Sequence, residues 1–205
     1  MELLERGAFL ESLEGWLAAA RSGEGCMVLL GGEAGIGKTA LARAFCDRHG
    51  ADARVLWGAC DALRTPRPLG PLLDITREVG GELARLVSAE PTRHRLFGAF
   101  LDLLGSAGGP DSPGPVPSGD PPGRTLPVVA VVEDAHWADE ATLDLLVFLG
   151  RRVAGSPAVV LVTYRDDEVG PGHPLRTVIG DLAIADLYSG TNRYQFSKQF
   201  WLLAG

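Results

Sequence analysis

The sequence predicts an α/β fold of three layers, a mostly parallel sheet between helices. Three observations predict it. Short apolar runs alternate with amphipathic stretches along the chain, which is the order of strand and helix units in a parallel sheet. The runs CMVLL, LPVVAVV and PAVVLVT are apolar throughout, so both faces of their sheet must be covered. The first of these runs stops at a glycine-rich loop that leads directly into a helical pattern.

Each element has its own signal. Leu10, Leu13, Trp16 and Leu17 recur at helical spacing in a first helix that ends near Gly23. Cys26 to Gly32 is a buried strand closed by glycines, and Thr39 to Arg48 is a helix with Leu41, Ala44 and Phe45 on one side. A second strand lies around Arg54 to Trp57. After proline punctuation, one helix starts near Pro71 and continues through GGELARLV, and Arg93 to Leu104 is another amphipathic helix. Gly105 to Gly123, GSAGGPDSPGPVPSGDPPG, has no side chains with which to build a core and reads as a disordered surface loop. Order resumes at Leu126 with the continuous valine strand. Asp139 is placed to cap a helix carrying Leu143, Leu146, Val147 and Phe148. PAVVLVTYR is the fourth strand. These elements make one domain over 1–185. Residues 186–205 differ, holding the chain's one asparagine (Asn192) and both its glutamines (Gln195, Gln199). Two readings of this tail stay open: a natural end with chance bias, or a segment not native to the domain.

Composition removes several function classes. The 205 residues carry a net charge of -7 with no block of basic residues, so direct DNA binding by this chain is not expected. Cys26, Cys46 and Cys60 form no C-x-x-C pair, which points to reduced thiols in a cytoplasmic protein. His49, His94, His136 and His173 are scattered without metal-ligand spacing. Glu2, Glu5, Glu11 and Glu14 interrupt the N-terminal apolar residues, so no signal peptide is read there. No apolar run reaches the ~20 residues of a membrane helix.

The chemistry concentrates in two places. Gly31 to Thr39, GGEAGIGKT, contains G-x-x-x-x-G-K-[ST] as Gly32, Gly37, Lys38 and Thr39. Glycines let the backbone turn its N–H groups inward around a phosphate, and the helix that follows adds its positive end. Lys38 supplies a point charge to the β- and γ-phosphates, and the Thr39 hydroxyl can ligate Mg²⁺. Gly32, Glu33, Ala34, Gly35, Ile36, Gly37, Lys38 and Thr39 are therefore the candidate nucleotide cradle. A glycine-rich turn with an incidental lysine is the plainer alternative, but an apolar strand precedes this loop and an amphipathic helix follows it. Such a P-loop needs an acid at the end of a neighbouring strand. Glu133 and Asp134, directly after Val128–Val132, supply a metal-and-water pair with Thr39, their individual roles open; the plainer alternative is that both merely cap a strand end. Arg165, at the end of the fourth strand, can reach a γ-phosphate; its alternative is a surface arginine paired with Asp166 or Asp167. His136 and Trp137 are ambiguous: His136 is placed to touch nucleotide or water, and the plainer reading is a structural histidine beside the sheet.

The ordered set LLERGAFL, GGEAGIGKTALARAF, VLWGACDALRTPRPLGPLLDI, VVEDAHWADEATLDLL and VVLVTYRDDEV resembles the ATPase module of large ATP-binding LuxR-type bacterial regulators. These are STAND-class signalling ATPases with an origin-recognition-like AAA domain. The resemblance covers about residues 1 to 185. It implies an ATP- and Mg²⁺-dependent switch with slow hydrolysis, and self-association or a partner effector domain. It makes Gly32–Thr39 the Walker A loop, Glu133 and Asp134 the Walker B acids and Arg165 the sensor. It also sets Arg6 near the nucleotide base, although Gly7 and Phe9 stand where the family's acids follow that arginine. The family's fifth strand, beside Cys26–Leu30, and its helical lid are not evident in the sequence. NRYQF is a candidate for the strand, its register unfixed. A passive nucleotide-binding module and a small P-loop phosphotransferase are the rival functions.

Overall fold

Alternate residues of each central strand enter two separate cores, and that alternation builds the layers. The computed structural model describes residues 7–63, 65–89, 92–106, 126–189 and 194–196, with residues 82, 88, 184–189 and 194–196 described by their backbone alone. Five strands, β1 (Cys26–Leu30), β2 (Arg54–Ala59), β3 (Val128–Glu133), β4 (Ala158–Thr163) and β5 (Tyr194–Phe196), form one sheet in the order β2-β3-β4-β1-β5. Every neighbouring pair is parallel. Val28 and Leu30 of β1, Val129 and Val131 of β3, and Val159 and Leu161 of β4 pack with α1 (Gly7–Arg21) and α2 (Lys38–His49). Met27, Leu29, Val128, Ala130, Val132, Val160 and Val162 face the other way. They pack against α3 (Gly70–Val79), α4 (Gly81–Ser88), α5 (Arg93–Gly105), α6 (Glu140–Gly150) and α7 (Pro174–Ser189). β1, β3 and β4 are buried on both faces, as their unbroken apolar runs require.

The structure departs from the sequence reading in two places and fixes in a third what that reading left open. The single helix expected from Pro71 is two, α3 and α4, divided where Gly80 (φ 65°) and Gly81 (φ 68°) both take left-handed backbone. α7, whose sequence gave no strong signal, runs to Ser189 and so passes the boundary drawn at residue 185. The edge of β1 is covered by β5, with Met27 opposite Tyr194 and Leu29 opposite Phe196. Three residues of the compositionally odd tail thus occupy the place of the fifth strand. Apart from Gly105, which ends α5, and Ser106, the expected disordered loop lies outside the described residues.

Two close contacts set the site's frame. Gly58 in β2 lies so near α3 that a Cβ there would collide with the Pro71 carbonyl. Asp139 caps α6, accepting from the Ala141 N–H at 2.9 Å. Its other oxygen takes the N–H of Leu69 at 3.1 Å and the Thr142 hydroxyl. Leu69 sits at φ 57°, a strained conformation for a non-glycine residue. Its bond to Asp139 and its burial hold it there, tying the start of α3 to the start of α6.

Candidate nucleotide-binding site

The loop between β1 and α2 lies at the C-terminal edge of the parallel sheet, where such sheets leave a crevice. Its entry is held by the continuation of β4: Tyr164 N–H donates to the Leu30 carbonyl at 3.1 Å and Asp166 N–H to the Gly32 carbonyl at 3.3 Å. Gly31 has no room for a side chain, since a Cβ would approach the Tyr164 ring within 2.6 Å. Gly35 (φ 74°) and Gly37 (φ 93°) take left-handed backbone, and Gly37 opens α2. No side chain caps that end, so the first amides of α2 keep the positive end of the helix facing the loop.

Lys38 is nearly buried, 6% exposed. Its Nζ curls back over the loop and donates to the carbonyls of Gly32 at 2.7 Å and Glu33 at 2.8 Å. Burial holds its pKa below the ordinary value, while the carboxylate of Asp134 pulls in the opposite direction. The loop thus presents a half-dry cation inside its own turn, with the Gly32–Thr39 backbone around it.

Strand parity brings an acid to the first turn of α2. Val129, Val131 and Glu133 alternate onto the α2 side of the sheet, and Thr39 is in the first turn of α2. The Thr39 hydroxyl donates to Glu133 Oε1. On the neighbouring strand, Trp57 is the ladder partner of Val131 and shares its face; its Nε1 donates to Glu133 Oε2 at 3.1 Å. Asp134 does not continue the strand. It adopts φ 55°, with its N–H bonded to the Thr163 hydroxyl at 3.0 Å and its carbonyl accepting from Trp137 N–H at 2.9 Å. Strained non-glycine backbone of this kind survives where its surroundings fix it. The turn sends the Asp134 carboxylate away from Glu133, toward His136, whose Nδ1 is 4.0 Å from Oδ1. Adjacent in sequence, the two acids face different partners.

Arg165 lies just beyond β4 and is engaged. Its Nη1 donates to Glu168 Oε1 at 2.6 Å and its guanidinium lies 4.9 Å from the centre of the Trp137 ring. The acid it pairs with is Glu168, one residue past the Asp166 and Asp167 considered from sequence. That bond holds the Glu168 carboxyl below its usual range. The imidazole of His136 is fully buried, 3.6 Å from the other Glu168 oxygen, and burial lowers its pKa. His173 touches the His136 carbonyl at 3.0 Å. Arg6 lies outside the described residues.

Trp57, Thr163 and Glu168 were not foreseen. Trp57 and Thr163 carry a faint signal, a polar tip on an otherwise apolar strand. For Glu168, one of three consecutive acids after Arg165, the sequence offers no way to choose.

The donor set fits a nucleotide with Mg²⁺. The cradle offers the uncapped first turn of α2 and a buried amine, both suited to phosphate. The hydroxyl and carboxylate that meet at Thr39 and Glu133 are the oxygen donors a small hard cation takes. A parallel three-layer sheet with this loop after its first strand defines a P-loop NTPase. The chain belongs, more particularly, to the AAA ATPase domain family, whose model matches residues 2–162. No curated protein matches it. Among solved structures it is similar to Cdc6p from Pyrobaculum aerophilum, with a TM-score of 0.52 and 17% identity over 95% of this chain and 45% of that one. Weaker likenesses are Drosophila ORC bound to GC-rich DNA and Cdc6 (TM-score 0.47, 12% identity, 92% of this chain and 55% of that one) and the DnaC helicase loader (0.37, 14%, 95% and 91%). The chain spans about half the length of the first two. Among the described residues no helix is long and apolar enough to cross a membrane.

Proposed function

We propose that this chain is the ATP- and Mg²⁺-binding module of a LuxR-type transcriptional regulator, a STAND-class switch whose nucleotide state governs self-association or a partner effector domain. The observation that carries the nucleotide reading is the meeting of two elements at the loop. The first turn of α2 supplies the Lys38 amine, held inside the loop, and the Thr39 hydroxyl, and the end of β3 supplies the Glu133 carboxylate bonded to that hydroxyl. The regulatory context rests on the family resemblance of the motifs.

In this reading Lys38 and the loop amides bind the phosphates. Thr39 and Glu133 would hold Mg²⁺, which supplies charge neutralisation at the β- and γ-oxygens. Asp134, turned away from that pair, orients a water and accepts its proton at a carboxylate oxygen. Arg165 stabilises charge on the transferred group, but only after leaving Glu168. That requirement slows hydrolysis by a few-fold, about the worth of an exposed ion pair. The same ion pair favours a second reading, a module that binds nucleotide without turnover.

The test compares ADP with a non-hydrolysable ATP analogue, both with Mg²⁺. Hydrogen exchange and light scattering report the state of the chain, and phosphate release reports turnover. A nucleotide-specific change in protection or mass, with slow phosphate release, is the expected result. Binding with neither change nor release selects the passive module. Identical behaviour in both nucleotides, with turnover intact, overturns the switch.

A further inference from the structure

We propose that Trp57 is a positioning residue that fixes the Glu133 carboxylate for metal binding and thereby divides the work between the two adjacent acids. The inference rests on the Mg·ATP reading and adds a residue to it. A glutamate has one more rotatable bond than an aspartate, so its carboxylate must be held if it is to meet a cation in one orientation. Here two donors from two elements hold it: Thr39 of α2 on Oε1 and the Trp57 indole of β2 on Oε2. An indole N–H can only donate. It therefore keeps that oxygen as an acceptor and gives the carboxylate a fixed plane. The indole is itself fixed. It packs against the α2-side core, and the guanidinium of Arg43, one turn along α2 from Thr39, lies 5.7 Å from its ring centre. With both of its oxygens engaged, Glu133 is the metal-side acid. The Asp134 carboxylate takes neither of those donors; it faces His136 at 4.0 Å and acts on the Lys38 charge, which leaves it to orient water.

Trp57→Phe keeps an aromatic ring and removes the N–H. The measurement is the Mg²⁺ concentration that half-saturates binding of a fluorescent ATP analogue, with metal-free analogue binding beside it. The expected result is a rise on the order of tenfold in that Mg²⁺ concentration, in line with losses on deleting groups that orient metal ligands, and unchanged metal-free binding. Glu133→Asp, too short to span both donors, should raise it as well, and adding Trp57→Phe to Glu133→Asp should then change little. An unchanged Mg²⁺ requirement in Trp57→Phe overturns the proposal while leaving the nucleotide site standing. Absence of Mg²⁺-dependent binding by the wild-type chain overturns both. Should Trp57→Phe fail to fold, the wild-type chain with ¹⁵N-labelled indoles gives the same decision. The Trp57 N–H resonance should move when Mg²⁺ is added to the analogue complex, and a resonance indifferent to Mg²⁺ overturns the proposal.

Discussion

Replacing Lys38 by alanine separates the lysine's role in the fold from its role in the site. In the folded chain its amine makes two hydrogen bonds to loop carbonyls, at 2.7 and 2.8 Å. Hydrogen bonds involving a charged group contribute about 1.5–3 kcal/mol each. Against them stands the cost of taking an ammonium out of water, which the lowered pKa records. The two contributions oppose one another, and water can reach the carbonyls once the side chain is gone. The expected loss of stability is about 1 kcal/mol, or roughly 2–4 °C in Tm for a chain of this size. Binding is different. A positive charge ~4 Å from a phosphate charge, at an effective dielectric of ~20, is worth about 4 kcal/mol. Half of that, after the amine has given up its carbonyl partners, is still about thirtyfold in Kd, and the whole is roughly a thousandfold. Urea denaturation and titration with Mg·ATP on the same preparation give both numbers. A Lys38→Ala chain with native-like denaturation and an ATP affinity within about threefold of wild type would refute the electrostatic argument.

Three further predictions follow from other parts of the molecule. Asp139→Ala removes the cap of α6 and leaves the Leu69 N–H without its acceptor, so urea denaturation should show a loss of about 2–4 kcal/mol; a loss below about 1 kcal/mol would mean that the tie between α3 and α6 is not needed. Glu168→Gln weakens the hold on Arg165 and should raise the preference for ATP over ADP by about two- to fivefold in competition binding, the scale of an exposed ion pair; an unchanged preference argues against γ-phosphate sensing by Arg165. Burial pushes the thiols of Cys26, Cys46 and Cys60 up to about 12 from an ordinary 9.0. All three should therefore resist alkylation near pH 8 until the chain is denatured. Because the folded values are raised, their contribution to stability is complete below pH 9 and declines as pH rises from there toward 12. Rapid labelling of the native chain would contradict that burial.

Much of the architecture was legible because single residues impose it. The unbroken valines of β3 fit a strand covered on both faces, and the glycines before Lys38 fit the left-handed backbone found at Gly35 and Gly37. Asp139 was readable as a cap because the helix after it needed an acceptor. What was not legible depends on contacts between segments distant in sequence. The break at Gly80 and Gly81 hid inside a continuous amphipathic pattern, since glycine is tolerated in helices and only φ shows that it ends one. The role of Trp57 follows from the register of β2 against β3, which brings its face beside Glu133. The separation of Glu133 from Asp134 depends on one left-handed residue, Asp134 itself, that no pattern signals. NRYQF was readable as a candidate for the strand beside β1, but its register there is a matter of pairing, not of local preference.

The most direct measurement of the central claim is titration of the wild-type chain with ATP in the presence of Mg²⁺ and again after its removal by a chelator. The account predicts saturable binding at one site that weakens when the metal is withdrawn. A folded chain that fails to bind ATP, or binds it equally well with and without Mg²⁺, would contradict it.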